Sequence, residues 1–370
     1  MKKSSSIDYL IISSAYPYRG GISDSTHSLV NQMSNLNISS EVWTFKLLYP
    51  KLFFPGKTQY SKEVLKSNFK IVRQINTLNP INWILSARKI NKIGPKKVIF
   101  RYWTPLLSLS YFTISCFLNN RTKVIGLVDN WTGHEKILFE GVFRRLFIKS
   151  CDSFISFSKN VGKKLKNSTN KEVLPLFHPI NDDLPNKISK DEALSNLDLP
   201  SKKYILFIGL VRKYKGVESL IKAFHYVSKE HENLKLIIAG EFYDDINIYK
   251  RLIKRKDLED KVIIDNDFLK SSKIRDYICI SDLIIQPYKK ASQSGITPLA
   301  YYYDKPLVVS NIEGLKEIII EDQSGEIFSE TPANMAVAIK NCINPESNRT
   351  YSNNIAKSKL KYSWLRFVKK

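Results

Sequence analysis

The sequence predicts an α/β fold with two doubly wound parallel sheets of the Rossmann type, and three observations lead to this prediction. Short apolar runs of strand length alternate with segments of helical periodicity along the chain. A polar, proline-containing break between Pro179 and Lys203 interrupts this alternation once, near the middle. The length of 370 residues suffices for two domains of ordinary size.

The predicted strands fall on both sides of the break. We therefore expect a first domain at residues 1–180 and a second at 181–353, facing each other across a cleft. Because ligands of open parallel sheets bind beyond the carboxyl ends of the strands, functional residues should follow the strands directly. The predicted strands are Tyr9–Ile12, Lys97–Phe100, Lys123–Val128, Tyr204–Ile208, Lys235–Ala239, Lys261–Ile264, Asp282–Gln286 and Pro306–Val309.

The charge of the chain is strongly positive and unevenly distributed. Lys and Arg number 58 against 35 Asp and Glu, a formal net charge of +23. Residues 1–180 hold 27 basic and 9 acidic residues, whereas the remainder holds 31 and 26. A basic first half suggests an anionic partner: nucleic acid, membrane lipid or a phosphorylated substrate. A lysine-rich composition common to all proteins of the source organism is the alternative explanation.

The cysteines and the apolar segments argue against a disulfide-rich secreted protein and against a membrane-spanning one. The four cysteines are far apart and show no CxxC spacing, so neither a zinc site nor a redox dithiol is predicted. So few cysteines fit a reducing compartment, and the apolar run Tyr9–Ile12 is too short for a signal peptide. The longest uncharged stretch, 102–120, contains a proline and several hydroxyl residues and is a poor membrane span. We expect a cytoplasmic protein.

The loop after the first strand of the second domain is rich in cations. Gly209 ends the strand, Arg212, Lys213 and Lys215 follow, and Gly216 leads into a helix. Side-chain charge, backbone amides and the helix dipole together suit a diphosphate. A solvated basic loop is the structural alternative.

Two further loops contain glycines at predicted strand–helix junctions. Gly20 and Gly21 precede a helix in the first domain, where glycines let backbone N–H groups approach an anion closely. Gln293, Ser294 and Gly295 precede a helix in the second domain and offer amides and a side-chain amide to the same ligand. An ordinary turn and a serine helix cap are the respective structural alternatives.

A polar cluster follows the strand that ends at Val128. Asn130, His134 and Glu135 belong to it, and their position after a strand makes them candidate functional residues. A structural histidine is equally compatible with the sequence. No set of metal ligands can be assembled from residue spacing, so no metal is expected.

At these loops the sequence resembles the glycosyltransferase family 4 (group 1) enzymes of the GT-B fold, especially bacterial ones that assemble surface polysaccharides. The resemblance covers nearly the whole chain, with the fragments in the family's order. In the first domain they are YPYRGGIS, YPKLFFPGKTQY, DNWTGHEK, SCDSFISFS and FHPI; in the second they are FIGLVRKYKG, SDLIIQPYKKASQSG and DKPLVVSNIEGLKEII. The tail YSWLRFVKK resembles the family's C-terminal helix, expected over about 354–370 and crossing back onto the first domain.

The resemblance implies transfer of a hexose-type sugar from a nucleotide-diphosphate sugar to a lipid-linked or polysaccharide acceptor in cell-surface glycan biosynthesis. Arg212 and Lys215 would neutralise the leaving diphosphate, and Gly20 and Gly21 would close on it. His134 would contact the transferring sugar. The implied reaction needs no metal and no cofactor besides the donor, and retention of configuration is expected by analogy.

Partners follow from the same resemblance and from the charge. Asn130 and Glu135 are candidate sugar or acceptor contacts. The basic first domain could bind the anionic inner leaflet of a bacterial membrane, and a solvated basic face is the alternative. The candidate cations are Arg144, Arg145, Lys149, Lys159, Lys163, Lys164 and Lys166. Nucleic acid is not expected as a partner, because no recognition-helix, RNP-type or zinc-finger motif is present.

One departure from the family keeps a second function open. Many members carry two glutamates eight residues apart in the third loop, where this sequence has Ala291 and Leu299. Ser292, Gln293 and Ser294 could substitute for the lost carboxylate contacts. A non-catalytic nucleotide-sugar-binding or scaffold protein of the same fold is therefore the alternative.

Overall fold

The structure, a computed structural model, describes residues 7–50, 58–61, 67–131 and 139–370. Its contacts divide the chain into two units. Unit 1 comprises Met1–Asn181 together with Trp364–Lys370, and unit 2 comprises Asp182–Ser363. The division falls at the start of the polar break that the sequence shows.

Unit 1 contains a sheet of seven parallel strands with helices on both faces. The strands are β1 (Tyr9–Ile12), β2 (Ser40–Leu47), β3 (Lys70–Asn76), β4 (Lys97–Tyr102), β5 (Lys123–Val128), β6 (Ser153–Ser156) and β7 (Val173–Pro175), in the order β3-β2-β1-β4-β5-β6-β7. The helices are α1 (Gly21–Asn35), α2 (Pro80–Ile93), α3 (Ser108–Cys116), α4 (Glu140–Ser150) and α5 (Lys159–Lys166).

Most strands of unit 1 are apolar on both faces, and a core cluster covers each face of the sheet. In β1, Leu10 and Ile12 point into one cluster and Ile11 into the other. This alternation of side chains is the ordinary geometry of a strand, and burial of both faces is typical of a parallel sheet.

Unit 2 contains a sheet of six parallel strands. They are β8 (Lys203–Ile208), β9 (Leu234–Ala239), β10 (Val262–Asp265), β11 (Leu283–Gln286), β12 (Leu307–Ser310) and β13 (Gly325–Phe328), in the order β10-β9-β8-β11-β12-β13. The helices are α6 (Lys190–Leu197), α7 (Val217–Glu230), α8 (Ile246–Lys254), α9 (Ser271–Ile280), α10 (Ile296–Tyr302), α11 (Glu313–Asp322), α12 (Pro332–Ile343) and α13 (Pro345–Ser358).

The C-terminal segment differs from the single helix expected over about 354–370. Helix α13 ends at Ser358, a 3-10 turn spans Lys359–Tyr362, and a short helix α14 (Trp364–Val368) follows. Residues up to Ser363 belong to unit 2, because Asp322 accepts hydrogen bonds from Lys361 and Tyr362. From Trp364 onward the chain belongs to unit 1, where Trp364 and Phe367 join the core cluster that contains Ile11.

Each sheet has one topological switch point, where the strand order reverses direction. In unit 1, β1 lies between β2 and β4, and in unit 2, β8 lies between β9 and β11. Open α/β sheets bind ligands beyond the carboxyl ends of the strands at such points. We therefore expect a ligand-binding site at the loops after β1, β4, β8 and β11.

Candidate active site

In unit 2, the loops that follow β8 and β11 are joined to each other. The N–H of Lys289 donates to the carbonyl oxygen of Tyr214 at 2.7 Å. Gly216, the residue before α7, has a φ of +73°, and a Cβ there would lie 1.8 Å from the carbonyl oxygen of Pro287. Glycine is therefore required for this close approach, which brings the cationic loop beside the loop that contains Gln293 and Ser294.

Lys215 is half-buried in a short 3-10 turn between these loops. Its Nζ lies 3.5 Å from the centroid of the Tyr288 ring and 5.5 Å from that of Tyr214. Burial, and to a smaller extent the neighbouring charge of Arg212, lower the pKa of Lys215 to about 8. Within the described part of the chain Lys215 forms no salt bridge, so its charge is available to an anionic ligand.

Arg212, which the resemblance also assigns to the leaving diphosphate, lies close to Lys215. Its guanidinium carbon is 4.7 Å from the centroid of the Tyr243 ring, and its carbonyl oxygen accepts the N–H of Lys215 at 2.7 Å. The structure thus brings both cations together after the central strand of unit 2.

The loop before α10 presents polar atoms near this pair. The Oγ of buried Ser294 accepts the N–H of Ile296 at 3.2 Å and lies 3.4 Å from the Tyr288 hydroxyl. The Oε1 of Gln293 is buried, and among the described residues it has no hydrogen-bond partner. Such an acceptor is a place where a ligand donor would be favourable. Gly295 is exposed and precedes the seven residues of α10.

In unit 1, Gly20 and Gly21 lie at the start of α1, beyond the end of β1. Gly20 has a φ of +104°, which favours glycine, and a Cβ on either residue would meet no atom within 4 Å. Both glycines line a cavity of about 170 Å³ that also includes Tyr49 and Trp103. The indole N–H of Trp103 donates to the Tyr49 hydroxyl at 2.9 Å. The residues that line this cavity all belong to unit 1, whereas the cationic turn belongs to unit 2.

A buried arginine that no sequence motif indicated holds these loops of unit 1 in place. Arg101 donates from Nε and one terminal nitrogen to both carboxylate oxygens of Asp129, each at 2.8 Å. Its remaining N–H groups reach Ile22 O at 3.0 Å, Thr26 Oγ1 at 2.8 Å and Ser25 Oγ at 2.7 Å. All five guanidinium donors are therefore used, and they connect the first turn of α1 to the end of β5.

The remaining predicted site residues cannot be placed together. Asn130 follows Asp129 directly and is half-buried. His134 and Glu135 lie outside the described residues. In the described ranges, no three His, Cys, Asp or Glu side chains are arranged to hold a metal ion.

The fold of this chain matches glycosyltransferases of known structure over almost its full length. Sucrose-phosphate synthase from Thermosynechococcus elongatus aligns with a TM-score of 0.78 at 14% identity, covering 98% of both chains. The protein Alr3699/HepE of Anabaena, solved in complex with UDP-glucose, aligns with a TM-score of 0.73 at 12% identity, covering 98% of this chain and 97% of that one. The fold class predicted from the sequence, GT-B with two Rossmann-like sheets, is confirmed.

The segment that matches a known sequence family lies within unit 2. Residues 189–359 match the family model described as glycosyl transferases group 1. An uncharacterized glycosyltransferase of Methanocaldococcus jannaschii is 30% identical over 172 residues, which cover 44% of this chain and 42% of that protein. The chain spans about half the length of the curated relatives it matches. The predicted resemblance is thereby confirmed for this segment: residues 189–359 are similar to the group 1 glycosyl transferases.

Proposed function

We propose that this protein transfers a hexose-type sugar from a nucleotide-diphosphate sugar to a glycan or lipid-linked glycan acceptor. The observation that carries the proposal is the pair Arg212 and Lys215 beyond the central strand of unit 2, within the segment that matches the family. Two neighbouring cations suit a diphosphate, and Lys215 has no carboxylate partner among the described residues. The UDP-glucose bound to the Anabaena protein of the same fold supports a donor of this class.

The mechanism that this arrangement supports is electrostatic. As the bond between the anomeric carbon and the diphosphate oxygen breaks, negative charge grows on the leaving group. Lys215 and Arg212 would stabilise that charge, and fixed cations cost no reorganisation at the moment of reaction. The acceptor hydroxyl would form the new bond to the anomeric carbon and pass its proton to the leaving diphosphate oxygen. We propose that configuration is retained, supported by the family resemblance.

A screen of nucleotide sugars tests the proposal directly. Mass spectrometry would follow UDP-, GDP-, ADP- and dTDP-sugars incubated with the protein and glycan or lipid-linked acceptors. We expect acceptor-dependent consumption of one donor, with strong loss in Arg212→Ala and Lys215→Ala. Lys229→Ala, an exposed lysine in the last turn of α7, is the charge-matched control. Consumption that is unchanged in both site variants would contradict the proposal.

The same assay tests two finer parts of the proposal. We propose that the cations replace a divalent metal, so transfer should persist in excess chelator. Loss of activity that Mg²⁺ or Mn²⁺ restores would contradict this. The anomeric proton coupling of the isolated product, measured by NMR, decides between retention and inversion.

A membrane surface is a further proposed partner, supported by the outer face of helices α2–α4. These helices pack side by side over one face of the sheet of unit 1. No helix in the described ranges is long and apolar enough to cross a bilayer. The exposed residues of this face are largely apolar or basic: Leu78, Ile81, Leu85, Arg88, Lys89, Leu109, Val142, Arg145 and Lys149. An apolar and basic surface of this kind suits an anionic lipid interface.

Vesicle sedimentation tests the membrane contact. We expect partition onto vesicles of anionic lipid but not of neutral lipid, and its loss in Ile81→Glu/Leu85→Glu. Val337→Glu, at an exposed position of α12 in unit 2, is the matched control. Equal partition onto both kinds of vesicle would remove the proposal of an anionic leaflet.

The alternative function is nucleotide-sugar binding without catalysis. It is favoured by one observation: Ala291 and Leu299 stand where many family members have glutamates. Calorimetry with a panel of nucleotide sugars, followed by product analysis, separates the two functions. Binding without product with any acceptor would favour the alternative.

A further inference from the structure

The contact between Lys215 and Tyr288 is not explained by the proposed function. The Lys215 ammonium lies 3.5 Å from the centre of the Tyr288 ring, which is within the range of a close cation–π contact. Tyr288 is buried, and Lys215 forms no salt bridge in the described part of the chain. A partly buried ammonium would ordinarily be paired with a carboxylate.

A carboxylate partner would conflict with binding of an anion. It would neutralise the ammonium and would have to be displaced before a diphosphate could take its place. The face of an aromatic ring stabilises a cation without a compensating negative charge. We propose that Tyr288 is a positioning residue whose ring holds Lys215 charged and in place for the diphosphate, in the role a carboxylate counter-ion would otherwise fill. This inference rests on the proposed function.

Tyr288 is itself fixed by both loops of the site. The residue before it, Pro287, contacts Gly216 so closely that no side chain fits there. The residue after it, Lys289, donates its N–H to Tyr214 at 2.7 Å. Its hydroxyl lies 3.4 Å from the Oγ of Ser294. The ring therefore has a defined position between the cationic turn and the loop before α10.

The titration of Lys215 can be observed separately from that of Tyr288, which is one of the groups that face it. These are Arg212, Tyr214 and Tyr288. Burial raises the pKa of Tyr288 to about 12, so its phenol stays neutral from pH 6.5 to 9.5. Burial lowers the pKa of Lys215 to about 8, which lies within that range.

The first experiment measures nucleoside diphosphate affinity against pH for variants at Tyr288. The probe is the tightest binder among UDP, GDP, ADP and dTDP. Tyr288→Leu removes the ring, so we expect the pH midpoint of binding to fall by about one unit and the affinity at pH 7.5 to fall about threefold. Tyr288→Phe keeps the ring and should restore the midpoint. Tyr226→Leu, at an exposed tyrosine of α7, is the matched control.

Two outcomes of this experiment would overturn the proposal. One is a Tyr288→Leu protein, folded by circular dichroism, with the midpoint and affinity of the unaltered protein. The other is a Tyr288→Phe protein that loses as much as Tyr288→Leu, which would assign the effect to the hydroxyl and its contact with Ser294.

The second experiment needs neither a ligand nor a folded Tyr288→Leu protein. Tyrosine rings are labelled with ¹³C, and the Tyr288 signal is assigned by its absence in Tyr288→Phe. We expect this signal to shift with a midpoint near pH 8 and the shift to vanish in Lys215→Met. A shift that persists in Lys215→Met, or no shift at all, would overturn the proposal. If no nucleoside diphosphate binds, the proposed function fails while this titration still decides the role of Tyr288.

Discussion

At the residue scale, Lys215 is subject to two opposing effects: burial disfavours its charge, and binding of an anion requires that charge. Its partial burial disfavours the charged form, as the pKa of about 8 indicates. Binding of a diphosphate needs that charge and would stabilise it. The protein therefore carries an energetic cost in its unliganded form that an anionic ligand relieves, which is typical of functional sites.

The affinity for a nucleoside diphosphate should depend on pH through this lysine. The charged form binds, and the pKa of the free protein is about 8, so affinity should be constant below pH 8 and fall as pH rises above it. The decline should approach about tenfold per pH unit. Calorimetry between pH 6.8 and 9.2 measures this, with Lys215→Ala as the variant that should lose the dependence. A flat profile in the unaltered protein would contradict the assignment.

Replacing the lysine should stabilise the fold while weakening binding. The pKa of Lys215 is lower in the folded protein than in the unfolded chain, so the cost of charging it is fully present at pH 7. Lys215→Met should therefore raise the free energy of unfolding at pH 7 by about 1–3 kcal/mol. The gain should shrink as pH rises from 8 to 10.5, where the folded lysine loses its proton first. Urea denaturation at pH 7 and 10 checks both statements, and an unchanged or lower stability at pH 7 would contradict them.

The sequence predicted the cations of the site but not their surroundings. Arg212 and Lys215 stand out because charged residues follow an apolar strand and precede a glycine. Tyr288 could not be found this way, because its contact with Lys215 depends on two loops that are more than 70 residues apart in the sequence. Arg101 was detectable in principle, since an arginine at the end of the apolar run KVIFRY is unusual in a buried strand.

At the element scale, the start of α1 depends on the Arg101–Asp129 pair. Arg101→Ala leaves the Asp129 carboxylate buried without a partner and should lower the free energy of unfolding by about 3–5 kcal/mol. The double variant Arg101→Met/Asp129→Leu removes both charges and should recover most of that loss.

Amide hydrogen exchange in the first turn of α1 should accelerate even in the double variant. The Ile22 carbonyl and the hydroxyls of Ser25 and Thr26 lose their donor there. Denaturant titration and exchange mass spectrometry measure the two effects. A single variant as stable as the unaltered protein, or an α1 turn that stays protected, would contradict this role.

The junction between the loops of unit 2 should be intolerant of any side chain at Gly216. Gly216→Ala combines a φ of +73° with a Cβ placed 1.8 Å from the Pro287 oxygen, so the loops must move apart. We expect a loss of about 2 kcal/mol or more in stability and a weaker nucleoside diphosphate affinity. Gly21→Ala is the control for the fold, since its Cβ meets no atom within 4 Å. Equal stability of the two variants would contradict the argument.

Individual strands were predictable where burial is continuous. The eight runs chosen from the sequence correspond to strands whose ends differ by at most two residues, for example β5 at Lys123–Val128. The sequence did not reveal β2, β3, β6, β7 and β13, and two of these strands are polar or very short. β3 contains Lys70 and Arg73, and β7 has three residues. Edge position explains both, because β3 and β7 close the two sides of the sheet.

At the scale of the whole molecule, the division of the chain into two units follows from its sequence pattern. The polar break predicted a boundary near residue 180, and the structure divides the chain at Asn181. The return of the chain to unit 1 at Trp364 could not be located from periodicity. The position of this return depends on two tertiary contacts. Asp322 accepts a hydrogen bond from Tyr362, and Trp364 packs into the core of unit 1.

Binding of a diphosphate by the cationic turn after β8 is the property on which the proposed function depends most. Isothermal titration of the full chain with UDP, GDP, ADP and dTDP at pH 7 tests it most directly. We predict saturable binding of at least one of them, weakened about tenfold or more in both Arg212→Ala and Lys215→Ala and unchanged in Lys229→Ala. Binding of equal affinity in all four proteins, or no binding by the unaltered protein, would contradict the claim.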